Sequence, residues 1–253
     1  MIPKTVFVLW HSSSVPILVK RCIHTMQVFS GCKVYFLTFV HALKMISRKS
    51  FPEYIEKQGY ITTKSDYLRA NLLARYGGIY LDASCIVLKD MSAWVDFSSN
   101  DVHMFENPNG QFKNVAELWA IAAPAMHPTM IAWVYEIEQL MKVGRMQYFR
   151  EYKPVALYRT KYFEIGAALD VARRQYPSKQ LISSVQKYTP LYYRLWGQHC
   201  DDAFELLVSI EDTKDMYMIK LTSDERQNIR RNYKRFYESI LGRHLLNTRL
   251  THS

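Results

Sequence analysis

Glycine and proline are scarce, with nine of each in 253 residues. That excludes a collagenous chain or a low-complexity linker protein. Cysteine is scarcer: Cys22, Cys32, Cys85 and Cys200 form no CxxC pair, and no histidine stands at zinc-finger spacing from them. A structural zinc site is therefore not expected, and the thiols read as free and buried. No apolar run approaches the roughly 18 residues that a membrane-spanning helix needs. The six mostly apolar residues after Met1-Ile-Pro-Lys4 are too few for a secretory core. The expected location is cytoplasmic. Negative charge is also short, at 23 Asp+Glu against 33 Lys+Arg, a net of +10. The balance favours an anionic partner, which could be a nucleic acid, a phosphorylated small molecule or an anionic membrane face.

What is present is a globular composition, 49% hydrophobic and 14% aromatic, long enough to bury a core. Residues 5–10 (TVFVLW) form a β-branched, apolar run that predicts a buried strand. Residues 15–29 place apolar side chains at helical spacing behind Pro16. Residues 33–38 (KVYFLT) follow as a second strand, completing a βαβ unit and implying a parallel sheet. A short helix is predicted over 51–58, opened by Pro52. A longer one spans 63–76, with Thr63 or Ser65 as cap and Gly77 as a left-handed stop. Strands are predicted at 79–82, 86–88, 102–105 and 118–123. Pro128 opens a helix to about Met141 with Ile131, Val134, Ile137 and Met141 on one face. Further helices are expected over 162–175, 201–208 and 224–246. The last is capped by Asp224 and carries a stripe of Ile229, Tyr233, Phe236, Tyr237, Ile240 and Leu241. No linker or repeat divides the chain, so a single α/β domain over 1–253 is expected, with a helical C-terminal third.

Three places could carry chemistry. Asp82 ends a predicted strand, followed by Ala83 and Ser84; ligands collect at such strand ends in open α/β sheets, and a carboxylate there can hold a divalent cation against a diphosphate. It could equally cap the next turn. Asp66 and Arg69 stand three apart on one helix face, suited either to the hydroxyls of a sugar or to a plain exposed ion pair. Trp10 ends the first strand, where an indole could stack on a planar base or simply pack in the core.

These features follow one another as a strand ending in Trp, a helix with DxxR, a Gly-Gly turn and a strand ending in Asp. "IPKTVFVLW" followed by "SDYLRANLLARYGGIYLDAS" resembles the donor half of sugar transferases with a DXD-type motif on a GT-A fold. It looks closest to the capsular polysaccharide synthesis proteins and is more distantly similar to related mannosyltransferases and the large clostridial glucosylating toxins. "ELWAIAAPAMHPTMIAWVYE", "YMIKLT" and "YESILGRHL" extend the likeness, while 144–215 matches little.

The resemblance implies a Rossmann-like, mostly parallel sheet flanked by helices, with residues 1–143 as the donor half and 144–253 as the acceptor half. It implies a glycosyltransferase that moves a sugar from a nucleotide-sugar donor to a glycan or lipid-linked acceptor, in the making of capsule or another polysaccharide. Trp10 would stack on the nucleobase, and Asp66 and Arg69 would hold sugar hydroxyls. Asp82, with Ala83 and Ser84, would hold the donor and a divalent cation, Mn²⁺ or Mg²⁺. Asp82, Asp66 and Arg69 are thus the implied catalytic group, and Asp82 and Ser84 the implied metal ligands. Ser84 stands where a stricter motif has a second Asp, and a neutral hydroxyl is a weaker ligand. Lys220 in "KLT" is a candidate phosphate contact. If the reaction inverts, Glu106, Asp201 or Asp202 could be the base.

Rival readings remain. Ser84 also suits a catalytically degenerate protein that binds nucleotide-sugar without turnover. Arg226, Arg230, Arg231, Lys234 and Arg235 line the polar side of the 224–246 helix, either as a solvated face or as a peripheral contact with an anionic membrane. Nucleic-acid binding is not expected, because no helix-turn-helix, RNP-like or zinc module is present.

Overall fold

The computed structural model describes residues 1–47, 51–57, 60–106, 115–154, 164–177, 180–182 and 200–247. In chain order the elements begin β1 (Thr5–Trp10), α1 (Ile17–Phe29), β2 (Lys33–Thr38), α2 (Phe39–Met45), α3 (Glu53–Lys57), α4 (Ile61–Tyr76), β3 (Gly78–Asp82) and β4 (Cys85–Val87). They continue with β5 (His103–Glu106), β6 (Ala116–Ala123), α5 (Pro128–Val143), α6 (Arg145–Tyr152), α7 (Glu164–Gln175) and β7 (Gln180–Ile182). The C-terminal part holds α8 (Cys200–Val208), β8 (Met218–Lys220), α9 (Ser223–Arg231), α10 (Tyr233–Glu238) and α11 (Ile240–Asn247).

The apolar run of β1 is continuous because both of its faces are buried. Phe7 and Leu9 point into one core with Leu68, Leu72 and Leu73 of α4, Trp133 and Ile137 of α5, and Leu169 of α7. Val6 and Val8 point into the opposite core with Val19 and Met26 of α1. Burying a side chain such as Leu72 or Leu73 fully, as here, contributes roughly 1.5–3 kcal/mol. The sheet order is β2-β1-β3-β6-β5-β7. β1 pairs in parallel with both β2 and β3, and β5 with β7. β6 runs antiparallel to β3 and β5. The chain thus leaves β1 to one side for β2 and returns to its other side for β3, which makes the carboxyl ends of β1 and β3 a topological switch point.

Gly77 and Gly78 are needed where α4 turns into β3. Both have positive φ, 62° and 91°. A Cβ on Gly77 would lie 2.3 Å from the Ala125 nitrogen, and one on Gly78 would lie 2.7 Å from the Thr5 oxygen. Only glycine takes this backbone that close to a neighbour.

Several boundaries differ from the sequence reading. α4 starts at Ile61, with Tyr60 as its N-cap and no side-chain cap bond, so neither Thr63 nor Ser65 caps it. Residues 86–88 do not join the main sheet: β4 pairs antiparallel with β8 in a separate two-stranded ladder. On α5 the buried face is Met130, Trp133, Ile137, Leu140 and Met141, while Ile131 is exposed. The helix expected over 224–246 is three helices, broken at Asn232 and Ser239. Its cap is Thr222, in a capping box with Glu225, and not Asp224. The breaks scatter the supposed stripe: Ile229, Phe236 and Leu241 are buried against Leu18 and Cys22 of α1, but Tyr233 is exposed. Helices α2 and α6 have no counterpart in the sequence reading. Cys22 and Cys85 are buried free thiols, as expected, and Cys32 is half-buried. No helix among the described residues is long and apolar enough to cross a membrane.

Candidate functional site

A cleft of about 580 Å³ opens at the carboxyl ends of β1 and β3. Trp10, Asp66, Arg69, Asp82, Ala83, Ser84 and Lys220, the seven residues singled out in the sequence, all line it. A more open hollow of about 600 Å³ beside Lys4, Trp94, His103 and Tyr217 contains none of them.

Asp66 and Arg69 are not an exposed surface pair: their side chains are 15% and 7% exposed. α4 packs between the sheet and α5, and every residue from Tyr67 to Ala74 is buried. The guanidinium is therefore held through its two terminal nitrogens, while its buried Nε has no hydrogen-bond partner among the described residues. Its Nη2 forms an ion pair with Asp66 Oδ1 at 3.1 Å and donates to Asp82 Oδ1 at 3.1 Å and to the Tyr80 hydroxyl at 3.2 Å. Its Nη1 donates to the Leu118 carbonyl at 2.5 Å, and its carbon sits 4.2 Å from the Tyr80 ring centre. Burial works against the guanidinium charge, but Tyr80, Asp66 and Asp82 more than offset it and hold the proton above the ordinary range.

The two carboxylates respond in opposite directions. Burial pushes Asp66 up to about 6, with Arg69 opposing and Asp82 and Glu164 adding to the rise. Asp82 is also desolvated, yet Lys220 and Arg69 together hold it below the ordinary carboxylate range. Tyr80, whose hydroxyl donates to Asp82 Oδ1 at 3.0 Å, is pushed up by burial and keeps its proton.

Lys220 reaches this network from 138 residues away. The β4–β8 ladder pairs Cys85 with Lys220, and the Leu221 N–H donates to the Ser84 carbonyl at 2.9 Å. The ammonium then donates to Asp82 Oδ2 and to Ser84 Oγ, the latter at 3.1 Å. Ser84 is buried and its hydroxyl donates to the Leu221 carbonyl at 2.8 Å. Arg226, from the first turns of α9, donates to that same carbonyl at 3.1 Å and also lines the cleft.

These bonds bear on the divalent cation expected at Asp82 and Ser84. Asp82 takes donors from Arg69, Tyr80 and Lys220, filling about three of its four acceptor positions. Ser84 donates its hydroxyl hydrogen bond to the Leu221 carbonyl and accepts from Lys220. A cation bound between the two side chains would sit against the Lys220 ammonium. Among the described residues no group of three or more His, Cys, Asp or Glu side chains could hold a metal. With Asp82 and Ser84 committed to these donors and the Lys220 ammonium seated on both, the residues present do not fit a divalent ion held between those two side chains.

Trp10 is half-buried at the cleft edge; its indole N–H donates to the Ser14 carbonyl at 3.0 Å, and its ring lies 5.1 Å from that of His11. Of the proposed bases, Glu106 ends β5 and is not among the lining residues, and the Asp201 and Asp202 side chains lie outside the described residues. Glu117 of β6 does line the cleft. The sequence reading passes over Glu117 and Tyr80, and it assigns Arg226 to a solvated or membrane-facing side of the last helix, whereas Arg226 lines the cleft. Tyr80 could have been found from its place between the Gly-Gly turn and Asp82, and Arg226 from its distance of one turn behind the "KLT" strand end.

The fold is that of GT-A type glycosyltransferases. The glycosyltransferase GlyE of Streptococcus pneumoniae TIGR4 superposes with a TM-score of 0.52 over 98% of this chain and 63% of its own, less than two thirds of that protein, at 9% identity. Its apo form gives 0.50 over 97% and 62%, at 11% identity. PaToxG glycosyltransferase is 16% identical over 95% of this chain and 86% of its own, with a TM-score of 0.47. No curated protein matches the sequence significantly. The chain belongs to the capsular polysaccharide synthesis protein family, whose sequence profile matches residues 1–240.

Proposed function

We propose that the protein is a glycosyltransferase that moves a sugar from a nucleotide-sugar donor to a glycan or lipid-linked acceptor in polysaccharide synthesis. The observation that carries this reading is the meeting of Trp10, the Asp66–Arg69–Asp82 network and Lys220 in one cleft at the β1/β3 switch point. Trp10 supplies an aromatic edge for the nucleobase. Asp66 accepts from donor-sugar hydroxyls, and Arg69 fixes its orientation. Lys220 and Arg226 line the same cleft and would receive the diphosphate.

The difficulty of the reaction is the charge that develops on the departing nucleoside diphosphate. Fixed cations aimed at that charge in a cleft shielded from water lower the barrier, because they need no reorganisation as the bond breaks. The acceptor oxygen bonds to the anomeric carbon, the bond to the diphosphate oxygen breaks with its electron pair, and the acceptor proton is released. The excess of basic residues, +10 overall, favours capture of such an anion.

Thermal unfolding of the protein with UDP-, GDP-, CMP- and dTDP-linked sugars tests the reading. A donor at about a hundred times its dissociation constant adds ~2.7 kcal/mol of stability. The expected result is a rise with sugars of one nucleotide, followed by release of that nucleotide when acceptor glycans are supplied. Absence of any rise across the panel would overturn the assignment, and a rise with no release across a wide acceptor panel would favour the degenerate, binding-only alternative.

A further inference from the structure

A DXD-type transferase needs a positive charge between its acidic motif and the donor diphosphate. In this protein that position already contains one. Lys220 Nζ bonds to Asp82 Oδ2 and, at 3.1 Å, to Ser84 Oγ. These are the two side chains expected to share a cation. The lysine is not a stray surface chain: it is 13% exposed and emerges from a ladder whose register is set by β4. Ser84 is oriented to accept from it, since the hydroxyl proton is committed to the Leu221 carbonyl at 2.8 Å. Arg226 spends one of its five donors on that carbonyl at 3.1 Å and faces the same cleft. Lys220 and Arg226 thus line one side of the cleft, and the Asp82 that holds Lys220 is already shared with Arg69.

We propose that Lys220, seated on Asp82 and Ser84 and assisted by Arg226, replaces the divalent cation as the counter-charge of the donor diphosphate, so that donor binding and sugar transfer require no metal. The inference rests on the glycosyltransferase reading above. An ammonium suits the task, being a compact point charge with three donors that can serve Asp82, Ser84 and a phosphate oxygen together. As the bond between the anomeric carbon and the diphosphate oxygen breaks, its electron pair stays on that oxygen. The ammonium donates a hydrogen bond to the resulting charge without giving up its proton. The acceptor oxygen forms the new bond to carbon, and its proton leaves with solvent. Ser84, in place of a second Asp, then has a reason: a second carboxylate would over-neutralise Lys220, whereas a hydroxyl orients it and leaves its charge for the donor.

The test is calorimetric titration of the full chain with UDP, GDP, CDP and dTDP, once in EDTA and once in Mn²⁺, alongside release of nucleoside diphosphate from the matching sugar donor. One nucleotide is expected to bind with a dissociation constant that agrees between the two arms within about threefold, and release is expected to proceed in EDTA. Losing one charge-assisted hydrogen bond should weaken binding about thirtyfold in Lys220→Met and about tenfold in Arg226→Met, in both arms. Arg226→Met reads the same site should Lys220→Met fail to fold, which its melting without nucleotide reports. Binding or release confined to the Mn²⁺ arm would overturn the replacement of metal and leave the donor assignment standing. Unchanged affinity in a folded Lys220→Met would also overturn it. No nucleotide binding in either arm would remove both readings.

Discussion

The two walls of the cleft are built on opposite principles. On the α4 wall one guanidinium serves two carboxylates, Asp66 and Asp82, with Glu164 near enough to push Asp66 up further. On the β4–β8 and α9 wall Lys220 bonds to the far oxygen of that same Asp82, and Arg226 bonds to the Leu221 carbonyl beside it. Burial strips water from Asp66 on the first wall, and Arg69 only partly offsets this, so Asp66 carries its ionisation at a cost. The second has positive charge to offer a ligand. Polar groups on the first are spent on one another and present a fixed set of acceptors, as a neutral sugar needs. Those on the second remain incompletely neutralised, as a diphosphate needs.

The strongest way to break this contrast is to remove the charge on which the acid-rich wall depends. Arg69→Met leaves Asp66 and Asp82 without their shared cation in a largely buried place. A loss of about 3–5 kcal/mol is expected in urea unfolding at neutral pH. A loss below ~1 kcal/mol would mean that the guanidinium contributes little to holding the two carboxylates.

Asp66 sharpens the contrast through pH. Its folded carboxyl titrates near 6 against a usual value of 3.8, so between those limits the folded state binds more protons than the unfolded one. Stability attributable to Asp66 therefore falls as pH rises through about 4 to 6, on the order of 2–3 kcal/mol, and is constant above that window. Asp82 acts with the opposite sign: its lowered value gives stability that is present above the usual carboxylate range and lost as pH falls. In Asp66→Asn the decline between pH 4 and 6 is expected to vanish, leaving the variant more stable than the parent at pH 7. Urea midpoints across that range check it, and an unchanged slope would assign the titration elsewhere.

The smallest effect separates cations inside the cleft from those outside it. Arg230, Arg231 and Lys234 are exposed on α9 and α10, whereas Arg235 is paired with Glu205. Each exposed cation adds ~1 kcal/mol near an anionic bilayer. Replacing the three with Gln is expected to lower co-sedimentation with anionic vesicles and to leave nucleotide binding unchanged. Equal, negligible sedimentation of the parent protein with neutral and anionic vesicles would retire the membrane contact.

The elements from β1 to β3 were legible because their signals are local. TVFVLW reads as a buried strand, DxxR puts two side chains on one helix face, and Gly77-Gly78 announces a turn that no Cβ would permit. The C-terminal region was less so. Its apolar spacing looks helical throughout, yet Phe236, Gly242 and Ser239 pack and bond in ways that stop and restart the helix: the Ser239 hydroxyl donates to the Phe236 carbonyl, and a Cβ on Gly242 would lie 2.0 Å from that same oxygen. Periodicity reports which residues want burial, but it is silent about where the helix axis turns to bury them. Thr222 was missed as a cap because Asp224 is an equally good cap type, and only the backbone shows which of them precedes the first turn.

By itself the sequence determined the order strand–helix–glycine turn–strand and the presence of Trp10, Asp66, Arg69 and Asp82 along it, since each depends on spacing within a few residues. Only the tertiary structure decided what lies against Asp82. That contact joins residues 138 apart and depends on the register of β4 on β8, where a slip of one residue would carry the Lys220 side chain to the other face of the ladder. The carboxylate was visible in the chain; the ammonium that occupies it came from the fold.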